Sequence, residues 1–184
     1  SRLEQALDKA FEEPDPEHPR RTRAVAVVYK GDLIAEQYAP EITKDTPLIG
    51  WSMTKSITSA LVGIRVKQEK LDTQKPAPVP EWQEPDDPRR KITLNHLLRM
   101  SSGLEFDETY ESDPLSDVNT MLFTKPDMGA FAASFPLQSE PGTNWSYSSG
   151  TTMILSRIVR HSFDRQEEYL AFPRKELFNK IGMR

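Results

Sequence analysis

The chain has 184 residues, a length that suits one domain and is short for two. Its net charge of −4 comes from 24 basic and 28 acidic residues spread along the chain without a basic stripe, so a nucleic-acid or anionic-membrane partner has little electrostatic support. The absence of cysteine excludes disulfides and thiolate metal sites, and it suits the cytoplasm and the periplasm equally.

Several other classes of protein lack support in the sequence. No apolar run approaches the roughly 20 residues of a membrane span, and the first residues, SRLEQALDKAF, are charged and amphipathic, unlike a signal peptide. The three histidines, His18, His96 and His161, stand in no metal-ligand spacing, and there is no glycine-rich phosphate loop. We therefore expect neither a metal nor a cofactor.

Residues 1–48 predict a helix followed by a β-hairpin. Apolar residues recur at helical spacing over 3–11, and the proline-rich stretch EPDPEHP ends that helix. RAVAVVYKGDLIAEQYA contains two β-rich runs joined at Lys30-Gly31-Asp32, which is a hairpin pattern. We expect residues 1–48 to belong to a sheet domain, although one hairpin is too little sheet to stand by itself.

Residues 49–184 predict a mostly helical lobe. A buried helix is expected from residue 52, a proline-rich ordered loop over 72–90, and a short helix that begins after Thr93 and ends before Gly103. The acidic stretch 104–120 lacks periodicity and predicts an exposed loop. Three further helices are expected, within 126–137, from 151 to 163, and near the end of the chain, where Pro173 breaks or starts the last one.

Ser52 and Lys55 form the first candidate for chemistry. Residues three apart on a helix lie on the same face, so the two side chains can touch. A serine hydroxyl becomes a good nucleophile when a nearby base takes its proton, and backbone N–H groups in a first helical turn can help to hold an oxyanion. The alternative is a capping serine with a solvated lysine. A helix without another charge before Arg65 favours the catalytic interpretation.

Tyr147 is the second candidate. It lies in NWSYSSGTT (144–152), between turn-forming residues and the start of a helix, where loop geometry could hold its phenol near the Ser52–Lys55 pair. A phenol beside cations can ionise and relay protons. For the tyrosine alone, a core or rim position is the alternative; its combination with the nucleophile helix favours a catalytic role.

Three segments together resemble a known family. SMTK (52–55), ITLNHLLRMSSGL (92–104) and EPGTNWSYSSG (140–150), followed by ELFNKIGM near the end, are similar to the class C β-lactamase and penicillin-binding-protein-like serine hydrolases. Within that family, GWSMTKSITSALVGI, FDETYESDPLSDVNTMLF and YSSGTT are most similar to the 6-aminohexanoate-dimer (nylon oligomer) hydrolase and esterase branch.

The resemblance implies a fold, and it implies that part of that fold lies outside these 184 residues. The expected class is α/β (α+β), a β-lactamase/transpeptidase-like fold with an antiparallel sheet flanked by helices and a helical lobe. The family's third motif, of the Lys-Thr-Gly or His-x-Gly type, and the C-terminal strands that carry it do not follow in these 184 residues. We therefore expect this chain to be the N-terminal part of a hydrolase, with its missing C-terminal half as a partner in the site.

The resemblance also implies roles for individual residues. Ser52 is the expected acylated nucleophile, Lys55 its hydrogen-bonded partner, and Tyr147 the general acid/base of the Tyr-x-Asn motif. Ser149 is the expected substrate-binding residue where many members have Asn, although its hydroxyl is shorter and offers one donor. Tyr110 is a further candidate, for a tyrosine that closes over the substrate.

Two functional hypotheses follow. The first is a serine hydrolase that cleaves an amide or ester bond of a small molecule through an acyl-enzyme intermediate, as in 6-aminohexanoate-oligomer hydrolases, carboxylesterases or β-lactamases. The second is a penicillin-binding or sensor module without turnover, or a fragment that is inactive without its C-terminal half. The substrate, the oligomeric state and the compartment are not determined by these residues.

Overall fold

A computed structural model describes residues 1–183. These residues divide into two compact units. Unit 1 comprises Ser1–Gly50, and unit 2 begins at Trp51. None of the helices in the described part of the chain combines the length and the apolar content that a membrane crossing requires.

Unit 1 consists of one helix and one hairpin, as predicted. Helix α1 spans Arg2–Phe11, and strands β1 (Ala24–Tyr29) and β2 (Asp32–Tyr38) pair antiparallel. Lys30 and Gly31 connect the strands with φ values of 52° and 93°, the two positive values that a tight hairpin turn requires. The turn chemistry therefore explains why the hairpin forms at this place in the sequence.

Unit 1 buries little apolar surface. Leu7 and Ile42 are its buried apolar side chains among the described residues, whereas Val28 and Leu33 in the hairpin are 65% and 56% exposed. Local interactions hold the unit instead. A capping box between Ser1 and Glu4 begins α1, and backbone ladder bonds join the strands.

Unit 2 contains the other helices of the described chain. They are α2 (Thr54–Lys67), α3 (Leu94–Leu98), α4 (Asp117–Thr124), α5 (Met128–Ala133), α6 (Ser149–His161) and α7 (Gln166–Glu176). Thr93 caps α3 as predicted, because its hydroxyl accepts from the backbone N–H of His96. The predicted loop at 72–90 is ordered by two short 3₁₀ turns, Pro80–Trp82 and Pro88–Lys91.

The structure differs from the sequence predictions at two helices. Helix α4 occupies part of the stretch that was expected to be an exposed loop; Ser116 caps it, and Val118 and Met121 bury its short apolar face. Helix α2, which the sequence predicts to be buried, is buried on one side only. Val62 and Arg65 are its buried residues, while Ser56 and Gly63 are exposed, because the helix packs on α6 along one side.

Helix α6 is the centre of unit 2. It packs against α2, α3, α4, α5 and α7, and its inward face is almost fully buried. Trp82 from the proline-rich loop is fully buried in the same core, and its indole N–H donates to the carbonyl of Ala133 at 2.9 Å. This packing fixes the N-terminal end of α6, where several of the candidate site residues lie.

Candidate active site

Ser52 lies at the entrance to α2 rather than inside it. Residues Trp51–Met53 form a 3₁₀ turn directly before Thr54, so the predicted helix begins two residues later in its α form. Trp51 has φ 42°, a left-handed conformation that is unfavourable for a bulky residue and that often marks functional sites. The side chain of Ser52 is exposed, so a substrate can reach its hydroxyl.

Lys55 connects Ser52 to the start of α6. Its Nζ donates to Ser52 Oγ at 3.1 Å and to Ser149 Oγ at 3.0 Å. The first contact follows from the three-residue spacing at a helix start. The second joins residues 94 positions apart, and it exists because α2 packs against α6.

Tyr147 covers the lysine. Lys55 Nζ lies 4.7 Å from the centre of the Tyr147 ring, within cation–π distance. Burial by itself raises the pKa of the Tyr147 phenol, but hydrogen-bonding interactions with Lys55 and Ser52 and the charge of Lys55 outweigh burial, so its pKa lies below the ordinary value of 10.0. The phenol is therefore easier to ionise than a free tyrosine, which suits a group that moves protons.

The segment after α3 supports the loop that carries Tyr147. The N–H of Ser146 donates to the carbonyl of Met100, and the N–H of Gly142 donates to the carbonyl of Ser101, both at 2.8 Å. Gly142 has φ 87°, and a side chain there would begin 3.0 Å from the imidazole of His96. The three resembling segments of the sequence are thus in direct contact around one site.

Ser149 and Tyr110 complete the group of five predicted residues, which the structure brings together within unit 2. Ser149 is the first residue of α6, and it is buried. The hydroxyl of Tyr110 lies 3.1 Å from Ser149 Oγ. Burial, together with the nearby charge of Glu108, raises the pKa of the Tyr110 phenol, although its hydrogen bond with Ser149 acts in the opposite direction.

Glu108 also lies in the site, and sequence reasoning missed it. One carboxylate oxygen accepts from the hydroxyl of Ser149, and the other accepts from the backbone N–H of Ser149 at 2.7 Å. The first oxygen also accepts from the hydroxyl of Tyr110 at 3.1 Å. Its position two residues before Tyr110 was the available signal, but the acidic composition of the surrounding stretch favours solvated surface.

The described residues contain no group of three or more histidine, cysteine, aspartate or glutamate side chains that could hold a metal ion.

His96 packs within the fold and supports the loop before α6. Its ring lies against Gly142, and its Nδ1 accepts from the N–H of Thr93 at 3.3 Å. Burial, with a smaller effect of the Arg99 charge, lowers the pKa of this imidazole from 6.5.

Comparison with solved structures defines the class of fold. A putative 6-aminohexanoate-dimer hydrolase from Bacillus anthracis aligns with a TM-score of 0.65 and 22% identity, over 94% of this chain and 45% of that one. A putative beta-lactamase from Bacteroides dorei aligns with a TM-score of 0.70 and 20% identity, over 99% and 50%. A D-amino acid amidase from Ochrobactrum anthropi aligns with a TM-score of 0.57 and 20% identity, over 99% and 53%. The chain thus has a β-lactamase/transpeptidase-like fold and spans about half the length of these structures.

The family follows from the sequence comparison. Residues 4–184 match the Beta-lactamase family model, and the chain therefore belongs to the Beta-lactamase family. No match to a curated protein was found. The predicted family and fold class are confirmed, and both the family and the structural neighbours are hydrolases.

Proposed function

We propose that the protein is a serine hydrolase that cleaves an amide or ester bond through an acyl-enzyme intermediate, with Ser52 as the nucleophile. The contact that carries the proposal is the 3.1 Å distance between Lys55 Nζ and Ser52 Oγ, in a site where the serine is exposed. A nucleophile within hydrogen-bond reach of a base is the arrangement that acyl transfer requires. Membership in a hydrolase family supports the same interpretation.

The proposed reaction has two halves. In acylation, Ser52 Oγ attacks the carbonyl carbon, the neutral amine of Lys55 accepts the hydroxyl proton, and Tyr147 passes a proton to the leaving amine or alcohol as the bond to it breaks. In deacylation, water attacks the same carbonyl, the Tyr147 phenolate accepts one proton from it, and Lys55 returns its extra proton to Ser52 Oγ as the acyl bond breaks. The lowered pKa of Tyr147 supports its role, because a phenol that ionises readily both accepts and donates protons.

Covalent labelling of the full protein with a fluorophosphonate probe tests the nucleophile. The Ser52→Ala variant removes the attacking oxygen, so we expect no labelling and no hydrolysis of short-chain esters, linear amides or a chromogenic β-lactam. Ser56→Ala is the matched control, because Ser56 is an exposed serine in the first turn of α2, four residues after Ser52, without a role in the proposed reaction. Labelling that persists in Ser52→Ala would refute the proposal.

Two further variants test the proton-transfer roles. Lys55→Ala removes the base, and Tyr147→Phe removes the phenol while keeping the ring that covers Lys55. We expect each to lower the rate of hydrolysis by about 10²–10⁴-fold, the usual contribution of a general acid or base. An unchanged rate in either variant would contradict the role of that residue. Labelling of Ser52 in the wild type without any turnover would favour the sensor hypothesis instead.

A further inference from the structure

Glu108 occupies a position that the proposed reaction does not use directly. It sits between Ser149 and Tyr110, and both of its carboxylate oxygens accept hydrogen bonds from Ser149. Ser149 in turn contacts the catalytic candidate Lys55. Glu108 is therefore linked to the proposed base, Lys55, through the hydroxyl of Ser149. A residue in that position can orient the groups that react without touching the substrate.

The hydrogen bonds of Ser149 can be assigned from chemistry alone. A hydroxyl has one hydrogen to donate and two lone pairs to accept with. An ionised carboxylate only accepts, so the hydrogen of Ser149 points to Glu108. Lys55 Nζ at 3.0 Å then donates to a lone pair of Ser149. The single hydrogen of Tyr110 points to the same Glu108 oxygen, so the 3.1 Å contact between the two hydroxyls leaves the second lone pair of Ser149 unused. The hydrogen of Ser149 is held by Glu108, and its direction is fixed.

That direction matters for Lys55. A neutral lysine amine has two hydrogens and one lone pair, and the lone pair must face Ser52 to accept its proton. A Ser149 hydroxyl free to rotate could donate to this lone pair and compete with Ser52 for it. Because the hydrogen of Ser149 is held by Glu108, Ser149 offers Lys55 only an acceptor. The lone pair of Lys55 is then left for Ser52 Oγ, 3.1 Å away.

We propose that Glu108 is a positioning residue that fixes Ser149 as a hydrogen-bond acceptor for Lys55 and thereby directs the amine of Lys55 toward Ser52. This inference rests on the proposed roles of Ser52 and Lys55. It also assigns Ser149 an orienting role in the site, in addition to the substrate contact predicted from the sequence.

The carboxylate of Glu108 is held in place from two sides. Its second oxygen binds the N–H of Ser149 in the first turn of α6, where N–H groups lack helical partners and the helix dipole favours an anion. The chain before it is anchored by Phe106, whose buried ring fits against Gly150 so closely that a Cβ there would lie 2.8 Å from it. The chain also bonds to α4, because the N–H of Val118 donates to the carbonyl of Asp107 at 3.0 Å.

Tyr110 from its own segment bonds to Glu108, and Tyr147 from the loop before α6 interacts with its charge. Lys55 from α2 is linked to Glu108 through the hydroxyl of Ser149. The negative charge of Glu108 acts to raise the pKa of Tyr147 and of Tyr110. Removing that charge must therefore lower the pKa of both phenols. This effect reports whether a charged carboxylate stands beside the site, which the assignment of the Ser149 hydrogen requires.

The test compares Glu108→Gln with Glu111→Gln in the full protein. Glutamine keeps the size of Glu108 but loses the charge, and its amide can donate to Ser149 and reverse the hydroxyl. We expect kcat to fall by up to about 100-fold, the effect of a misplaced catalytic group, with KM nearly unchanged. The same change of charge at the exposed Glu111, in the same loop, should leave kcat unchanged.

A tyrosine titration measures the same proposal without substrate. Protein with ¹³C at the tyrosine ζ carbon is titrated by NMR, and Tyr110→Phe and Tyr147→Phe assign the two signals. In Glu108→Gln both phenols should ionise at lower pH than in the wild type, and in Glu111→Gln neither should shift. Unfolding curves of the variants establish that each is folded.

The outcomes separate this inference from the proposed function. Unchanged phenol titrations in Glu108→Gln overturn the positioning role, even if the wild type is labelled at Ser52. Shifted titrations with an unchanged kcat also overturn it, because the charge would then lie beside the site without directing Lys55. Shifted titrations and a lower kcat, with labelling still confined to Ser52, support it. A wild type that no probe labels at Ser52 refutes the serine mechanism and with it the role assigned to Glu108.

Discussion

Units 1 and 2 use the same kinds of local signals but bury very different amounts of apolar surface. Both contain tight turns with positive φ and a helix that begins with a capping box, Ser1–Glu4 in α1 and Thr93–His96 in α3. Unit 2 adds a continuous core around α6, whereas the hairpin of unit 1 leaves large apolar side chains exposed. The difference shows that local signals suffice to define an element, while burial determines how firmly it is held and how accurately it can position a site.

The largest expected difference between the units is in hydrogen exchange. Amides of α6 exchange only when the core opens, whereas the two-stranded hairpin can open locally. We expect α6 amides in the 184-residue chain to exchange at least about 100-fold more slowly than those of β1 and β2, measured by hydrogen–deuterium exchange with mass spectrometry. Equal exchange rates in α6 and in the hairpin would contradict the difference in burial between the two units, because the hairpin would then open as rarely as α6.

A pair of glycine substitutions isolates the effect of packing. Gly31 in unit 1 and Gly103 in unit 2 both have positive φ, so alanine is strained at either position by about 1–2 kcal/mol. A Cβ at Gly31 meets nothing within 4 Å, whereas one at Gly103 would lie 2.2 Å from the backbone oxygen of Ser139. We expect Gly103→Ala to lower the free energy of unfolding by about 1–3 kcal/mol more than Gly31→Ala.

Urea unfolding measures this pair. Far-UV circular dichroism reports on both units, and tryptophan fluorescence reports on unit 2, since Trp51, Trp82 and Trp145 all lie there. An equal decrease in the free energy of unfolding in both variants would show that the segment around Ser139 shifts easily to make room for the new Cβ. Unit 2 would then not be tightly packed at this turn.

The smallest expected difference is in how the free energy of unfolding depends on pH, through the two capping boxes. His96 accepts from the N–H of Thr93, and burial keeps its pKa below the 6.5 of an unfolded chain. The unfolded state therefore binds more protons than the folded state between those two pKa values, and the free energy of unfolding decreases as the pH falls through about 6.5. The box of α1 uses Glu4, whose side chain is exposed, instead of a buried imidazole.

Unfolding free energies measured from pH 7.5 down to pH 5 test the role of His96. Glutamine also closes a capping box but does not titrate, so His96→Gln should be folded and should lose less stability over this range than the wild type. The same pH dependence in both proteins would show that another group causes it.

Much of the site was predictable because its signals are local. Ser52 and Lys55 are three residues apart, Thr93 and Gly103 bracket a short helix, and the turn residues before α6 place Tyr147 in a loop. The resemblance of three segments to the family placed these signals in one fold, and the family match confirms that placement. The roles of Ser52, Lys55, Tyr147, Ser149 and Tyr110, and the division into residues 1–48 and 49–184, remain predictions.

The structure of the stretch 104–120, and its contact with α6, depended on tertiary packing and could not be predicted from composition. The stretch 104–120 is acidic and without periodicity, yet Phe106 is buried, α4 forms within it, and Glu108 points to the first turn of α6. No pattern in the sequence marks a contact between residues 41 positions apart, because it arises only when α6 and the loop pack together. The sequence by itself determined the family and the candidate pair Ser52 and Lys55; packing around α6 determined which carboxylate and which hydroxyl surround that pair.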